Sequence, residues 1–439
     1  MLKTLVGAFK NKDIRKKILY TLMILVIVRV GSLLPIPGVD TEYFSSLLSG
    51  INTGDLGYLS AFTGGSFERM SLFALSITPY ITSSIIMQLL AIAIPKLEEM
   101  QKEGEDGRKK IAAITRYVTI GLALIESIAM AVGFGRSGLI KGYQGFSTLH
   151  YIVSIIVVVA ALTAGSAMLM WLGERITENG VGNGISIVLL INIISGMPSD
   201  FATLYSTFVA PRTIAKGVLA AAIIIAILVV MVVLVCFLQD GERRIPVQYS
   251  QKVSGRKTFG GQSTNIPLKV NTAGVMPVIF ASSLMQFPVI IAQLFGKSYE
   301  WTRYLSSSYW CRVSAPKYSI GLILYVVLLI IFAYFYTSIT FNPIEVADNL
   351  KKAGGVIPGI TPGKSTSDYL NNILNYIVFV GAVGLLIIAL IPIMCTGFFN
   401  ASVSFGGTSV IIIVGVVLET LKQIESQMVN RYYKGFLSE

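Results

Sequence analysis

The sequence has few residues that could do acid–base or metal chemistry. An enzyme working in lipid would place Asp, Glu, His or paired Ser and Lys in its apolar stretches, or carry a zinc motif such as H-E-x-x-H, and neither pattern occurs. The one histidine, His150, has no acidic or cysteine neighbour, and the three cysteines, Cys236, Cys311 and Cys395, have no paired spacing. A phosphate-binding G-x-x-x-x-G-K-[ST] loop is also missing. We therefore predict no catalytic residue, metal site or cofactor, and no disulfide framework.

Two ionisable residues, Arg29 and Glu126, interrupt stretches that are otherwise apolar. A charge inside a membrane costs about 2.5–3.5 kcal/mol on insertion scales, and such residues often serve ion coupling. One interpretation is therefore a transporter of small solutes. The other is a polar pair between helices, which we favour because two groups are few for a transporter.

Polar residues concentrate in two apolar segments, ITPYITSSIIMQLL at 77–90 and MPVIFASSLMQFP at 276–288. In each, two adjacent serines are followed three or four residues later by glutamine. Such a stripe would give a helix face polar enough to open and apolar enough to close. Ordinary hydrogen bonding between helices, worth about 0.6 kcal/mol on average, is the alternative, and these residues alone leave both open.

The composition requires that these segments lie in a membrane. Of 439 residues, 54% are hydrophobic and 13% charged, against roughly a quarter charged in a soluble domain. A helix needs about 20 apolar residues to cross ~30 Å of hydrocarbon. Ten stretches qualify, the last five being weaker: 71–94, 151–172, 218–238, 271–296, 318–344, 18–34, 111–134, 183–197, 373–394 and 408–429.

Charge distribution predicts how the ten helices cross. With a cytoplasmic N-terminus, 25 of the 35 Lys and Arg residues fall on the cytoplasmic side, as the positive-inside rule requires. Both termini are then cytoplasmic. The motif Pro35-Ile36-Pro37-Gly38 follows the first stretch where a cleavage site would stand, which argues against a removable signal peptide.

Two long cytoplasmic loops stand out, at 239–270 and 342–372. In the first, two extended runs flank the turn Ser254-Gly255, which predicts a projecting hairpin. In the second, NPIEVADNLKK predicts a short helix ending at Gly354-Gly355. Both present cations, which suits either a solvated surface or an acidic partner such as ribosomal RNA or anionic lipid.

Ordered motifs over nearly the whole length resemble the SecY family of protein-conducting channels, to which the eukaryotic Sec61 alpha subunit is related. They are LPIPGVD (34–40), GGSFERMSLFALSITPYITSSIIMQLL (64–90), KEGEDGRKK (102–110), TRY (115–117), MWLGERITENGVGNGISI (170–187), QSTNIPLKVNTAGVMPVIFASS (262–283), FNPIEVADNLKKAGGVIPGITPG (341–363) and FGGTSV (405–410).

The resemblance implies an all-α integral membrane protein with ten transmembrane helices in two pseudo-symmetric five-helix halves. The halves, 1–197 and 198–439, would be hinged between helices five and six around a central pore. Unfolded secretory polypeptides would cross the pore, and signal sequences and membrane helices would leave sideways into lipid. A protein-conducting channel is thus the expected function, with a secondary transporter of small solutes, or an insertase without a through-pore, as alternatives.

Three sets of residues are implied by the resemblance to form the pore. A ring of aliphatic side chains would seal the constriction, a short plug helix at about 58–72 would close it from outside, and the two serine-pair segments would line a lateral gate. The residues are, for the ring, Ile81, Ile85, Ile185, Leu189, Ile279 and Ile412; for the plug, Gly64, Gly65, Phe67, Glu68 and Arg69; for the gate, Thr82, Ser83, Ser84, Gln88, Ser282, Ser283 and Gln286.

The resemblance also implies partners on the cytoplasmic side of a bacterial plasma (inner) membrane. These are the small membrane subunits SecE and SecG, the SecA motor ATPase and the ribosome with its RNA; signal sequences would be substrates in the lipid bilayer. The docking cations would be Arg243, Arg244, Arg256, Lys257, Lys351 and Lys352. Where the family commonly has an arginine in the PGI-Arg-PG segment this chain has Thr361, which leaves the strength of motor coupling open.

Overall fold

The computed structural model describes residues 9–50, 63–135, 140, 148–211, 214–249, 252–254, 257–259, 263–294, 300–312, 316–399 and 407–435. Helices dominate the described part. In chain order they are α1 Lys12–Leu33, α2 Thr41–Gly50, α3 Thr78–Ala93, α4 Pro95–Lys102, α5 Glu105–Phe134, α6 Thr148–Asn179, α7 Gly184–Leu204, α8 Ile214–Asp240, α9 Met276–Leu294, α10 Thr302–Leu305, α11 Ile320–Thr340, α12 Pro343–Lys352, α13 Lys364–Phe399 and α14 Gly407–Gly435. A π-helix, Tyr205–Val209, follows α7, and 3-10 turns occur at Ser307–Tyr309 and Pro316–Ser319.

Ten helices of the described chain have 16 residues or more, and each overlaps one predicted membrane stretch. By length and hydropathy, six helical segments in the described residues can cross a membrane, or seven if α3 and α4, bent by 105°, count as one span. The protein is therefore a multi-pass membrane protein. Helices α1, α9 and α14 are not among these segments, so a membrane crossing is inferred for them only because they overlap predicted membrane stretches. In α1, for example, the helix starts with the charged sequence KDIRKK.

Local sequence explains where several helices begin. The side chains of Asn11, Asn183 and Asn342 each accept a backbone N–H of the following helix, which satisfies donors that have no intrahelical partner. Pro79 lies in the first turn of α3, where its missing N–H costs nothing, as expected for the start of this helix.

Most of the long helices pack around one central hydrophobic cluster. Buried side chains from α1, α6, α7, α8, α9, α11, α13 and α14 contribute to it, and residues of α3 pack against it. A second cluster joins α2, α5 and α6 to the chain that precedes α3. The first cluster contains residues from both predicted halves, so it fixes where the predicted pore residues of the two halves lie.

The two long loops that were predicted to be cytoplasmic meet in a three-stranded sheet, and the first loop also carries a separate two-stranded sheet. Strands β1 (Glu242–Tyr249) and β4 (Ser263–Lys269) pair antiparallel, and β2 (Lys252–Ser254) pairs with β3 (Lys257–Phe259), which confirms the predicted hairpin. β5, Gly355–Val356, joins the free edge of β1, giving the order β4-β1-β5. The short helix is confirmed as α12, with Gly354 at φ 70° after its end. Gly355, expected to end that helix, belongs to β5.

The predicted plug helix needs correction. Residues 64–77 form successive turns, not a helix, and residues 58–62 of the prediction lie outside the described part. The turns have a local cause, because Gly64, Gly65, Met70 and Ser76 have φ between 43° and 79°, a left-handed conformation that no right-handed helix contains. The predicted boundary at 197/198 also falls within α7, which continues through Pro198 to Leu204.

Candidate pore and docking surface

The six predicted ring residues all belong to the central cluster. They come from four helices, α3, α7, α9 and α14, and none is ionisable. Leu189, Ile279 and Ile412 are buried, while Ile81, Ile85 and Ile185 are half-buried and pack against the cluster. The structure thus brings together residues that are far apart in sequence. Flexible apolar side chains around a narrow constriction disfavour water and ions.

The predicted gate residues lie on two helices, α3 (Thr82, Ser83, Ser84, Gln88) and α9 (Ser282, Ser283, Gln286). On α9, Ser282 and Gln286 are buried and stand three and seven residues after Ile279, so the polar stripe and the ring residue share a helix face. This α9 helix contacts α5, a helix of the other predicted half.

Ser83 occupies a different place from the other gate candidates. Its side chain is fully buried, and its hydroxyl donates to the carbonyl of Thr115 on α5 over 2.9 Å. Because α3 and α5 belong to the same predicted half, this hydrogen bond fastens neighbours within that half. Ser84 and Gln88 lie one helical turn apart and are joined by a 3.4 Å hydrogen bond along α3.

The segment 64–77 packs between helices of the predicted N-terminal half. Phe67 is buried and meets the ring of Phe44 edge-on at 5.8 Å, whereas the neighbouring Glu68 and Arg69 are exposed. The segment bonds to the chain after α1, because Leu72 N–H donates to Leu34 O over 2.9 Å. Its apolar residues thus pack inward while the side chains of Glu68 and Arg69 are exposed.

Polar contacts join the same segment to α6 and α7. Asn192 Nδ2 donates to Ser76 Oγ over 3.0 Å, and Ser195 Oγ lies 3.4 Å from the carbonyl oxygen of Gly64. Ser166 Oγ lies 3.4 Å from Ser76 O. Sequence reasoning missed these residues. The available signal was one amide, Asn192, within the apolar run of α7, since polar residues in membrane helices often have a function.

The favoured pairing of Arg29 with Glu126 is not seen. Arg29 lies near Arg69, and its Nη1 is buried without a hydrogen-bond partner among the described residues. No ion pair connects it to Glu126 in the described part of the chain. Neighbouring helices α5 and α6 are instead joined by Arg116 and Glu174, with Nε and Oε1 2.7 Å apart.

The three-stranded sheet, which was predicted to face the cytoplasm, carries part of the predicted docking set on one hydrophobic cluster. Ile245 and Val247 of β1 and Leu350 of α12 share a buried cluster with α13. Arg243 and Arg244 extend from β1, and Lys351 and Lys352 from the last turn of α12; all four are exposed. Arg244 pairs with Glu242 at 2.6 Å. Arg256 lies outside the described residues, and only the backbone of Lys257 is described.

Comparison with known proteins identifies similar sequences and similar solved structures. Residues 71–421 match the family model described as SecY. The protein translocase subunit SecY of Streptomyces galbus is 44% identical over 446 residues, and the alignment covers 100% of both chains.

Two solved structures share the fold at 18% sequence identity. One, a SecY structure, is described as showing that the plug domain stabilises the closed translocation channel and maintains a membrane seal; its TM-score is 0.62, over 94% of this chain and 92% of that one. The other is the channel in a canine ribosome-channel complex from the endoplasmic reticulum, with a TM-score of 0.58 over 94% and 93% of the two chains.

Proposed function

The chain belongs to the SecY family, a family of protein-conducting channels and not of enzymes, and we propose that it is the pore-forming subunit of a protein translocase. Unfolded secretory polypeptides pass through it across the bacterial plasma membrane. Signal sequences and membrane helices leave it sideways into lipid. The gathering of six aliphatic residues from four helices into one cluster is the observation that carries this proposal.

The ring suits a polypeptide better than a small solute. Branched aliphatic side chains can change rotamer to fit a passing chain of any sequence, and they offer no hydrogen bond that would retain it. A solute transporter would instead need fixed polar groups, or an ion-coupling pair, near the middle of its helices. Arg29 and Glu126 do not make such a pair, so the transporter alternative is not favoured.

The lateral exit lies between α3 and α5 of residues 1–197 and α9 and α11 of residues 198–439. Here α9 contacts α5 directly, so an exit between these helices is closed. The π-helix at Tyr205–Val209, which contacts α7 and α8, is the proposed hinge, because irregular helical turns often occur where a helix must bend. The segment 64–77, here called the plug segment, contains residues 64–72 of the predicted plug and continues to the start of α3.

Partner binding is assigned to the cytoplasmic sheet and α12. Ribosomal RNA is an acidic partner for the exposed cations there, and one structurally similar protein is described in a ribosome-channel complex. The SecA motor would use the same face, and SecE and SecG would complete the membrane assembly. Both termini lie on this cytoplasmic side, as the distribution of Lys and Arg supports.

Crosslinking of a stalled secretory chain tests the proposal. Ile81→Cys and Ile279→Cys are made separately in a chain whose three native cysteines, Cys236, Cys311 and Cys395, are replaced by serine. A polypeptide in the pore should form adducts at both positions, since they lie on α3 and α9 around one cluster. Ile320→Cys, 64% exposed on α11, is the control that should not react. Adducts at neither ring position, with the chain nevertheless translocated, would reject this route.

A further inference from the structure

Helix α7 contacts both ends of the plug segment. Asn192 Nδ2 donates to Ser76 Oγ at 3.0 Å near one end. Near the other end, Ser195 Oγ lies 3.4 Å from Gly64 O, while its shorter contact, 3.0 Å, is to Asn192 O of its own helix. The two α7 residues are one helical turn apart. A side chain on this turn therefore reaches each end of the same segment, and Gly64 fits only because it lacks a Cβ, which would meet Asn192 O at 2.6 Å.

The contact lies directly beside the ring. Asn192 follows Ile185 by seven residues and Leu189 by three, so the three side chains share one helical face, with Asn192 on the outer side. Asn192 is 2% exposed, and its neighbours Val188, Leu189 and Ile193 are buried apolar residues. A polypeptide that has passed the ring at Leu189 reaches this layer next, where Ser76 and Asn192 touch.

The closed arrangement leaves one buried polar atom without a hydrogen bond. Asn192 Oδ1 is buried and has no hydrogen-bond partner among the described residues, which costs free energy because the atom has lost its contact with water. Ser76 and Met70 have φ of 52° and 43°, which non-glycine residues rarely adopt. An opened pore would admit water to this layer and supply partners to the amide, so the loss of the Ser76 contact would be largely offset. Such a contact can hold the segment and still release it.

We propose that Asn192, assisted by Ser195, is the positioning residue that holds the plug segment in the closed channel, and that opening breaks its hydrogen bond to Ser76. This inference rests on the proposed function, because it takes 64–77 as the plug. On this proposal, the buried amide of Asn192 sets the equilibrium between the closed and the open channel.

A double-mutant cycle measures the contact. Asn192→Ala and Ser76→Ala, singly and together, are reconstituted in liposomes, and ion conductance without substrate is recorded. Each single change should raise the resting open probability about fivefold, the equivalent of one ordinary hydrogen bond, and the double change should add little more. Ser199→Ala is the matched control, since the Ser199 hydroxyl bonds only to Gly196 on the same helix at 2.7 Å. Wild-type conductance in both single variants, or additive effects, would overturn the proposal.

A reversible crosslink removes any concern that the alanine variants fold poorly. Ser76→Cys and Asn192→Cys are combined in the cysteine-free chain, and a short bifunctional thiol reagent or an oxidant joins them. Translocation of a secretory polypeptide should stop on crosslinking and return on reduction, while each single cysteine variant is unaffected. Absence of the crosslink, or equal translocation with and without it, would reject the Asn192 contact alone. If the reduced protein passes no polypeptide at all, the proposed function is rejected and this inference with it.

Discussion

Gln248 pairs with Val356 across an antiparallel ladder, which makes one sheet from two loops that are far apart in sequence. The adjacent pair of Tyr249 with Gly355 continues it, and Gly355 is tightly packed because a Cβ there would meet Tyr249, Leu350 and Val247 within about 3.0–3.2 Å. Cations from both loops are thereby held on one base. A partner that binds one loop necessarily meets the other.

This arrangement predicts a salt-dependent interaction with the ribosome. Lys351→Glu with Lys352→Glu should weaken binding, and the negative slope of log K against log salt should become less steep by about 1.4–1.8, because two phosphate contacts at ~0.7–0.9 each are lost. The measurement is ribosome co-sedimentation at several salt concentrations. Lys109→Glu with Lys110→Glu is the matched control, since those adjacent lysines already pair with Glu105 and Glu103. An equal effect of the two double variants would contradict the docking assignment.

Ring residues should control the resting leak. Ile81→Ser with Ile85→Ser places two hydroxyls on one face of α3 within the apolar cluster, so water enters more easily and ion conductance of the channel without substrate should rise several-fold. Single-channel recording in planar bilayers checks this. Ile94→Ser, an exposed position at the end of α3, should leave the leak unchanged. Unaltered conductance in the ring variant would count against these two positions as part of the seal.

Gly165 of α6 should be required for the plug segment to pack against that helix. A Cβ at this position would lie 1.9 Å from the carbonyl oxygen of Leu72, a backbone atom that can move only with its segment. Gly165→Ala should therefore raise the resting leak several-fold. Gly121→Ala is the control, because a Cβ there meets nothing within 4 Å and α5 is another long helix. Equal resting ion conductance in both variants would contradict this prediction, because it would show that the segment can shift to accommodate the added methyl group without opening the seal.

Ser83 should affect stability more than gating. Ser83→Ala removes its hydrogen bond to Thr115 O between two neighbours of one half, so thermal unfolding in detergent should show a loss of about 1 kcal/mol. Ser84→Ala, whose hydroxyl bonds only along α3 to Gln88, should lose less. If Ser83→Ala instead changed the rate of lateral insertion at unaltered stability, Ser83 would belong to the gate after all.

Much of the helical architecture could be predicted because hydrophobicity alone locates a helix in a membrane. The apolar runs identify α8 and α11, for example, within a few residues. The β1–β4 hairpin was also predictable, since its strands flank a local turn. Pairing of β5 with β1 was not, because that contact joins segments far apart in sequence and depends on how α12 packs.

Details of the site depend on which helices lie beside each other, and this cannot be derived from a single sequence. Ser83 and Ser84 are adjacent and alike, yet their hydroxyls point in different directions because α5 lies beside one of them. Arg29 and Glu126 suggested a pair because few other ionisable residues lie in the apolar stretches, but no ion pair joins them in the described part of the chain. The plug was expected to be helical, and three left-handed residues within its described part, Gly64, Gly65 and Met70, are incompatible with a helix there.

The bonds between Leu72 and Leu34 and between Ile36 and Met70 have a kinetic consequence for the channel. Because the segment also continues covalently into α3, it stays tethered to the channel when it leaves the pore. Its return is therefore an intramolecular step, with an effective concentration on the order of millimolar. An emptied pore would reclose at a rate independent of protein concentration, so the duration of each opening would follow the residence of the polypeptide within it.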